Sequence, residues 1–246
     1  MMFISVVSHG HGKLIAHLDT LSTLVSKHTV ILTDNVGEEE LEKYCLKWGV
    51  HYLQNKSPKG FGDNNNQNYD YAEMKLNMTK DDFFLVLNPD VKISTDAILE
   101  AEKEMCAWQA EIATINLYKS DKELDANVRR FPKVRDFFES YLYKKNKTII
   151  NKNTLGTSYV DWASGSFLLF KSKLYKQLSG FDNKYFMYCE DLDICRRALS
   201  VSKQKVLYIS SVKALHIAAH NNRKLFSKHF VWHVKSVFRY CFLSKY

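Results

Sequence analysis

The 246-residue sequence is poor in residues that interrupt or staple a chain: it has 3 Pro, 9 Gly and 5 Cys. So few prolines and glycines leave little room for linkers and favour one large domain, alone or with an appendage. The cysteines are odd in number and lack paired spacing, which argues for reduced thiols rather than a disulfide framework. Cys189 and Cys195 have no partners at zinc-ligand spacing and read as small buried hydrophobes. No apolar run reaches the roughly 18 residues of a spanning helix. Met1 leads directly into a strand-like run, so no secretory leader is expected. These absences predict a folded protein of the cytoplasm, soluble or held at a membrane surface.

What is present is the composition of a packed protein. Hydrophobic residues make up 46% and aromatics 13% of the chain, enough for a full core at this length. The first half alternates in the α/β manner. Strands at Phe3–Ser8, Thr29–Thr33, Val50–Gln54 and Phe83–Leu87 are separated by helices at Lys13–Ser26, Glu38–Trp48 and from the Lys59–Asn66 loop to about Met78. That alternation predicts a parallel sheet with right-handed crossovers.

Two acids fall where such sheets bind ligands, at the carboxyl ends of strands. The run FFLVLNPDV ends in Asn88-Pro89-Asp90, where proline cannot continue a ladder and fixes how Asp90 projects. A carboxylate there suits magnesium or manganese held together with substrate phosphates, although Asn-Pro-Asp is also ordinary turn chemistry. Asp34 ends the second strand and can line the same crevice, or simply cap a turn. Between them KGFGDNNN, with Gly60 and Asn64, offers backbone N–H groups at a strand-to-helix turn, a candidate anion site. It lacks dinucleotide-binding and P-loop spacing, and an ordinary loop with an Asn cap fits equally well.

The stretch Gly180–Ala198, GFDNKYFMYCEDLDICRRA, carries the densest chemistry: Glu190, Asp191 and Asp193 lie within four residues behind a run of aromatics. Acids this close raise one another's pKa unless a cation compensates, so one of them is a candidate general base. The alternative is an acidic helix N-terminus with Asp193 paired to Arg197 across one turn. Upstream, Lys119–Ile150 is basic and aromatic, a candidate lid or acceptor-binding segment. VDWASGSFLLF reads as one strand, Val160–Phe170, with a small-residue turn at Gly165 for close substrate approach. Trp162 fits a sugar-stacking platform or the core equally well. A short strand Leu207–Ser210 precedes His216, which that path can return to the crevice beside Asp90.

Taken together, Ser8, Asp34, GFGDNNN, NPD, WASGSF, YFMYCEDLD and His216 resemble, over nearly the whole chain, a family-2 inverting glycosyltransferase of the GT-A fold. More narrowly they resemble the bacterial O-antigen rhamnosyltransferases that add L-rhamnose to lipid-linked N-acetylglucosamine. The resemblance implies a single Rossmann-like α/β domain with a mixed, mostly parallel sheet over residues 1–222 and a C-terminal helical extension over 223–246. It implies Asp191 as catalytic base, with Glu190 and Asp193 orienting acceptor or backbone and Arg197 balancing the charge, and Asp90 with His216 as ligands of Mg2+ or Mn2+. The donor, dTDP-rhamnose, is expected on Ser8, Asp34, Gly60, Asn64, Asn88 and Asp90. The acceptor, a polyprenyl-diphosphate-linked saccharide, is expected on Trp162, Gly165, Glu190 and Asp193. Asn88 replaces the first acid of the family's Asp-x-Asp motif, which leaves direct metal contact to Asp90 and His216. Another nucleotide sugar, such as a UDP-sugar, is the alternative donor.

Arg223–Tyr246 interleaves basic with aromatic and aliphatic residues at helical spacing, the composition of an interfacial helix on anionic lipid. The formal charge of +8 agrees. A helix packed on the domain or a homodimer contact is the alternative. The expected place is therefore the cytoplasmic face of the inner membrane. Two rivals remain: a nucleic-acid-binding protein, which gives the clustered acids no purpose, and an inactive scaffold, which releases no nucleotide from any donor.

Overall fold

The computed structural model describes residues 1–143, 146–217 and 228–243. Its strands are β1 (Met2–Ser8), β2 (Thr29–Asp34), β3 (His51–Gln54), β4 (Phe83–Leu87), β5 (Val91–Lys92), β6 (Ile112–Ser120), β7 (Glu123–Leu124), β8 (Val128–Arg129), β9 (Ser158–Val160), β10 (Trp162–Ala163), β11 (Phe167–Lys171) and β12 (Val206–His216). Its helices are α1 (Gly12–Leu18), α2 (Thr20–Leu24), α3 (Glu39–Trp48), α4 (Phe61–Lys75), α5 (Thr95–Ala107), α6 (Val134–Tyr143), α7 (Ser172–Gln177), α8 (Glu190–Ser202) and α9 (Lys228–Phe242).

The main sheet runs β3-β2-β1-β4-β11-β6-β12-β5, with β7 on β6 and β9 on β12; β8 and β10 form a small antiparallel pair. The first four strands are parallel, and β11 enters antiparallel between β4 and β6. The sheet is thus mixed, as expected. β1 and β4 are apolar because both their faces are covered. Successive residues alternate between two cores. Ile4, Val6, Leu32 and Leu85 pack with Ile15, Leu41, Cys45 and Ile98 of the helices on one face. Phe3, Ile31, Phe84 and Val86 pack with Tyr69, Tyr175, Leu192 and Cys195 of α4, α7 and α8 on the other.

Several boundaries differ from expectation for local reasons. The helix expected over Lys13–Ser26 breaks at Asp19, whose φ of 52° is left-handed. The KGFGDNNN turn is mostly helix, because α4 starts at Phe61; only Lys59 and Gly60 remain in the turn. The single strand expected at Val160–Phe170 is three pieces in two sheets, separated by Asp161 and the Ser164–Ser166 turn. β12 does not stop at Ser210: a register shift between Ile209 and Lys213 carries it on to His216.

The expected boundary at residues 222 and 223 lies outside the described residues, as do Arg223, Lys224 and Lys245. Within them, α9 packs and is exposed at once. Ser236 Oγ donates to the Met187 carbonyl at 2.9 Å, and Arg196 donates to the hydroxyl of buried Tyr240 at 2.7 Å. Trp232 meets Phe186 at 4.7 Å and Arg239 lies over Tyr185. The opposite face leaves Val231, Val234, Phe238 and Phe242 between 46% and 63% exposed.

Candidate active site

Strand register brings the first half of the site together. β12 pairs with β5 so that His216 lies opposite Val91, the residue after Asp90. His216 Nε2 is consequently 3.3 Å from Asp90 Oδ1, and the Ile217 N–H donates to the Asp90 carbonyl. The β6–β7 hairpin then delivers a residue that the sequence did not single out. Asp125 follows β7, its N–H donates to the Leu117 carbonyl, and its Oδ2 lies 2.6 Å from His216 Nδ1. The imidazole is held between two carboxylates. Burial alone would lower its pKa, but the two acids outweigh burial and raise it to about 9. For Asp90 and Asp125 burial pushes upward, and the imidazole's charge pulls both below the usual aspartate range.

Among the described residues Asp90 Oδ1 is buried without a hydrogen-bond partner, its one close contact being the ion pair with His216 Nε2 at 3.3 Å. A buried acceptor left unpartnered at a strand end calls for a donor or a cation. One carboxylate and one imidazole suit manganese or magnesium completed by diphosphate oxygens, so these residues fit a divalent cation. Among the described residues no three His, Cys, Asp or Glu side chains form a ready metal cage.

The second half is the start of α8. Tyr188 and Cys189 both have left-handed backbones, φ 72° and 62°, and turn the chain sharply into the helix. Such conformations cost non-glycine residues on the order of 1–3 kcal/mol each and persist where surrounding packing over-determines them. Asp191 accepts from the Leu192 N–H at 2.8 Å and from the Gly165 N–H at 3.2 Å. A Cβ at Gly165 would meet the Phe61 ring at 3.0 Å, so glycine permits this approach. Burial raises the Asp191 pKa, against the two N–H donors and the charge of Arg129. Glu190 is buried with Oε2 unpartnered; burial, then the charge of Asp191, hold its carboxyl well above the usual range. Asp193 takes its alternative role: buried, it pairs with Arg197 Nε at 2.7 Å, and Arg197 also ties down the Leu178 and Gly180 carbonyls.

The Ser164–Ser166 turn joins the halves. The Asn88 N–H donates to the Ser166 carbonyl at 3.0 Å, one residue from the Gly165 N–H that holds Asp191. Other expected site residues lie around this centre with their polar groups engaged. Asp34 is fully buried; it accepts from the N–H groups of Val36, Gly37 and Glu38 and from the Tyr52 hydroxyl. Ser8 Oγ donates to Glu38, which also receives the Gly12 N–H. Asn64 is fully buried, donating to the Gly60 carbonyl and accepting from Asn55. Gly60 sits against Phe186, whose carbonyl oxygen a Cβ would meet at 2.5 Å. These groups shape the rim through the loops they order. Trp162, only 8% exposed, donates to the Arg130 carbonyl and lies under Arg129, so its ring belongs to the core rather than to an open platform.

Asp125, Glu38 and Asn35 were not found from sequence. Asn35 exchanges two hydrogen bonds with the Lys59 backbone, clipping two strand-end loops together. Only Glu38 carried a local signal, as an acid at a helix start. The other two act through partners 24 to 91 residues away.

Comparison with solved structures gives the class. Over 90% of its length the chain matches S. aureus TarS 1-349 in complex with UDP-GlcNAc, covering 61% of that chain at 14% identity and TM-score 0.58. Over 88% it matches GalNAc-T7 with UDP, GalNAc and Mn2+, covering 43% of that chain at 10% identity and TM-score 0.60. The fold is therefore that of the GT-A glycosyltransferases. No protein-family model matches the chain. It is 38% identical over 245 residues to Rhamnosyltransferase WbbL of Escherichia coli strain K12, covering 98% of this chain and 92% of that protein. It is 32% identical over 176 residues to the N-acetylglucosaminyl-diphospho-decaprenol L-rhamnosyltransferase of Mycobacterium tuberculosis strain H37Rv, covering 67% of this chain and 55% of that protein. The chain belongs to the rhamnosyltransferase family and is a glycosyltransferase.

The raised pKa of Glu190 has a measurable consequence. The native state keeps a proton that the unfolded chain releases near the ordinary value of 4.5, so stability falls as pH rises above it. Glu190→Gln cannot ionise and escapes that loss. Its melting temperature relative to wild type is expected to climb as pH is raised over the range above about 4.5. A difference that is flat across that range would show that Glu190 ionises normally in the fold.

Proposed function

We propose that the chain is an inverting transferase that moves L-rhamnose from dTDP-β-L-rhamnose to N-acetylglucosamine carried on a polyprenyl diphosphate, in O-antigen or related cell-surface polysaccharide assembly. The donor half centres on Asp90 and His216, the acceptor half on Asp191. The observation that carries this reading is the shared turn, in which Ser166 holds Asn88 and Gly165 holds Asp191. An inverting transfer needs such an arrangement, with a base facing one side of the anomeric carbon and a cradle for the leaving group on the other.

Asp191 takes the proton of the acceptor hydroxyl as that oxygen bonds to the anomeric carbon. The bond from that carbon to the diphosphate oxygen breaks in the same step, and the β-linked sugar becomes an α-L-rhamnoside. The Gly165 and Leu192 N–H groups favour the ionised form of Asp191 and aim it, while burial favours the neutral form of Glu190 beside it. Asp90 and His216 would hold a divalent cation, which supplies charge neutralisation to the departing diphosphate. Because burial raises the Asp191 pKa, the acid limb of the rate profile lies above that of an ordinary aspartate.

The names of the relatives support the sugar and the acceptor: both are rhamnosyltransferases, and the mycobacterial protein's name specifies a decaprenol-linked N-acetylglucosaminyl diphosphate. No described helix is long and apolar enough to cross a membrane. An acceptor confined to the bilayer requires the enzyme to come to the cytoplasmic surface, and the exposed face of α9 suits that contact. Val231, Val234, Phe238 and Phe242 line it, with Lys235 beside them.

Asp191→Asn is expected to abolish transfer with donor affinity nearly intact; turnover above about a tenth of wild type contradicts a base worth 10²–10⁴-fold. Asp90→Ala and His216→Ala should each weaken manganese-dependent binding of dTDP, measured by calorimetry. Equal binding by both variants, or full activity in chelator, removes the cation assignment. Stabilisation by UDP but not dTDP in a thermal-shift screen moves the donor to the alternative. Lys235→Glu with Phe238→Ser should lower binding to phosphatidylglycerol vesicles at least fivefold, since each basic residue contributes on the order of 1 kcal/mol. Unchanged vesicle binding together with loss of a dimer in sedimentation would make the α9 face a contact between copies.

A further inference from the structure

The Asp90–His216 pair has a third member that no part of the proposed chemistry uses. Asp125 sits on the far side of the imidazole, its Oδ2 2.6 Å from Nδ1, while Nε2 faces Asp90 at 3.3 Å. Backbone geometry fixes this carboxylate. Tyr118 pairs with Leu124 across the β6–β7 hairpin and with Leu215 across β6–β12, so Asp125 and His216 are the residues that follow the two strand partners of Tyr118. The Asp125 N–H to Leu117 carbonyl bond locks the turn. The nearby ammonium of Lys152 bonds instead to the Leu117 carbonyl and to Asn127 Oδ1, and the Asp125 carboxylate faces the imidazole.

A neutral imidazole carries one proton and one lone pair, on different nitrogens. Without a cation the two carboxylates favour a ring protonated on both nitrogens. To ligate a cation Nε2 would have to give up its proton, and a carboxylate against Nδ1 would keep the remaining one there and leave the Nε2 lone pair on the side of Asp90. We infer that Asp125 is a positioning residue, which sets the tautomer and ring orientation of His216 so that Nε2 and the Asp90 carboxylate converge on one divalent cation. The inference rests on the reading of Asp90 and His216 as cation ligands. Outer partners of ligating histidines characteristically change metal affinity 10–100-fold when removed.

The test measures manganese binding without turnover. Full-length wild type, Asp125→Ala, Asp125→Asn, His216→Ala and the Asp125→Ala/His216→Ala double variant are titrated with Mn2+ in saturating dTDP. Free and bound manganese are resolved by electron paramagnetic resonance. Asp125→Ala is expected to lose 10–100-fold in Mn2+ affinity, and Asp125→Asn, which keeps the shape and an acceptor oxygen, to lose less. The double variant should bind no worse than His216→Ala alone, because Asp125 acts only through the ring. A role in folding alone predicts a lower melting temperature with unchanged Mn2+ affinity, or losses that add in the double variant; either result overturns the inference. If Asp125→Ala does not fold, the smaller loss in Asp125→Asn carries the same decision. If His216→Ala weakens Mn2+ binding and both Asp125 variants bind like wild type, the inference fails while the cation site stands. If His216→Ala also binds like wild type, both fall.

Discussion

The site depends on one strand pairing. β11 enters the sheet antiparallel to β4, with Phe167 opposite Leu87, and this fixes the turn immediately before it beside the turn immediately after β4. From that register the Ser166 carbonyl meets the Asn88 N–H, and the Gly165 N–H meets Asp191. Shifting β11 by one residue would exchange its core faces, moving Leu168 and Phe170 into the space now filled by Phe167 and Leu169. The hydrophobic core therefore protects the register that sets Asn88 and Asp191 beside one turn. Acids about a hundred residues apart in sequence are held by the same packing that holds the sheet.

The chain treats its buried acids in two opposed ways. Asp90 and Asp125 share an imidazole, whose charge lowers both below the ordinary range. At Glu190 and Asp191 burial dominates and raises both, helped at Glu190 by the charge of Asp191 and opposed at Asp191 by two N–H donors and the charge of Arg129. The first pair is held toward its anionic form. The second holds a proton more readily, in keeping with the base proposed at Asp191. Arg197 compensates the third acid of the cluster, Asp193, and donates to the Leu178 and Gly180 carbonyls.

Much of this was legible in the sequence where the signal is local. The buried run FFLVL with its Asn-Pro-Asp stop, the strand-helix alternation and the acids behind an aromatic run each state their structure within a few residues. The misplacements came where tertiary context overrides propensity. VDWASGSFLLF is uniformly apolar enough for one strand, yet its pieces belong to two sheets. Trp162 offers the same ring whether it stacks a sugar or fills a core, and only its neighbours decide. Asp125 lies in a stretch that reads simply as basic and aromatic. Its partner is 91 residues away, and no periodicity reports a contact of that kind.

The two left-handed residues ahead of α8 bear on how many shapes the loop leading to Asp191 can take. Glycine at Tyr188 or Cys189 would relieve their backbone strain, and would also open conformations that a Cβ forbids. The strained side chains leave the loop fewer alternatives, and the Phe186–Trp232 contact, the Ser236 hydrogen bond to Met187 and the Gly60 approach narrow them further. Asp191 is thereby aimed by scarcity of choice as well as by attraction. A loop made comfortable with glycine would keep every carboxylate and lose the direction in which one of them points.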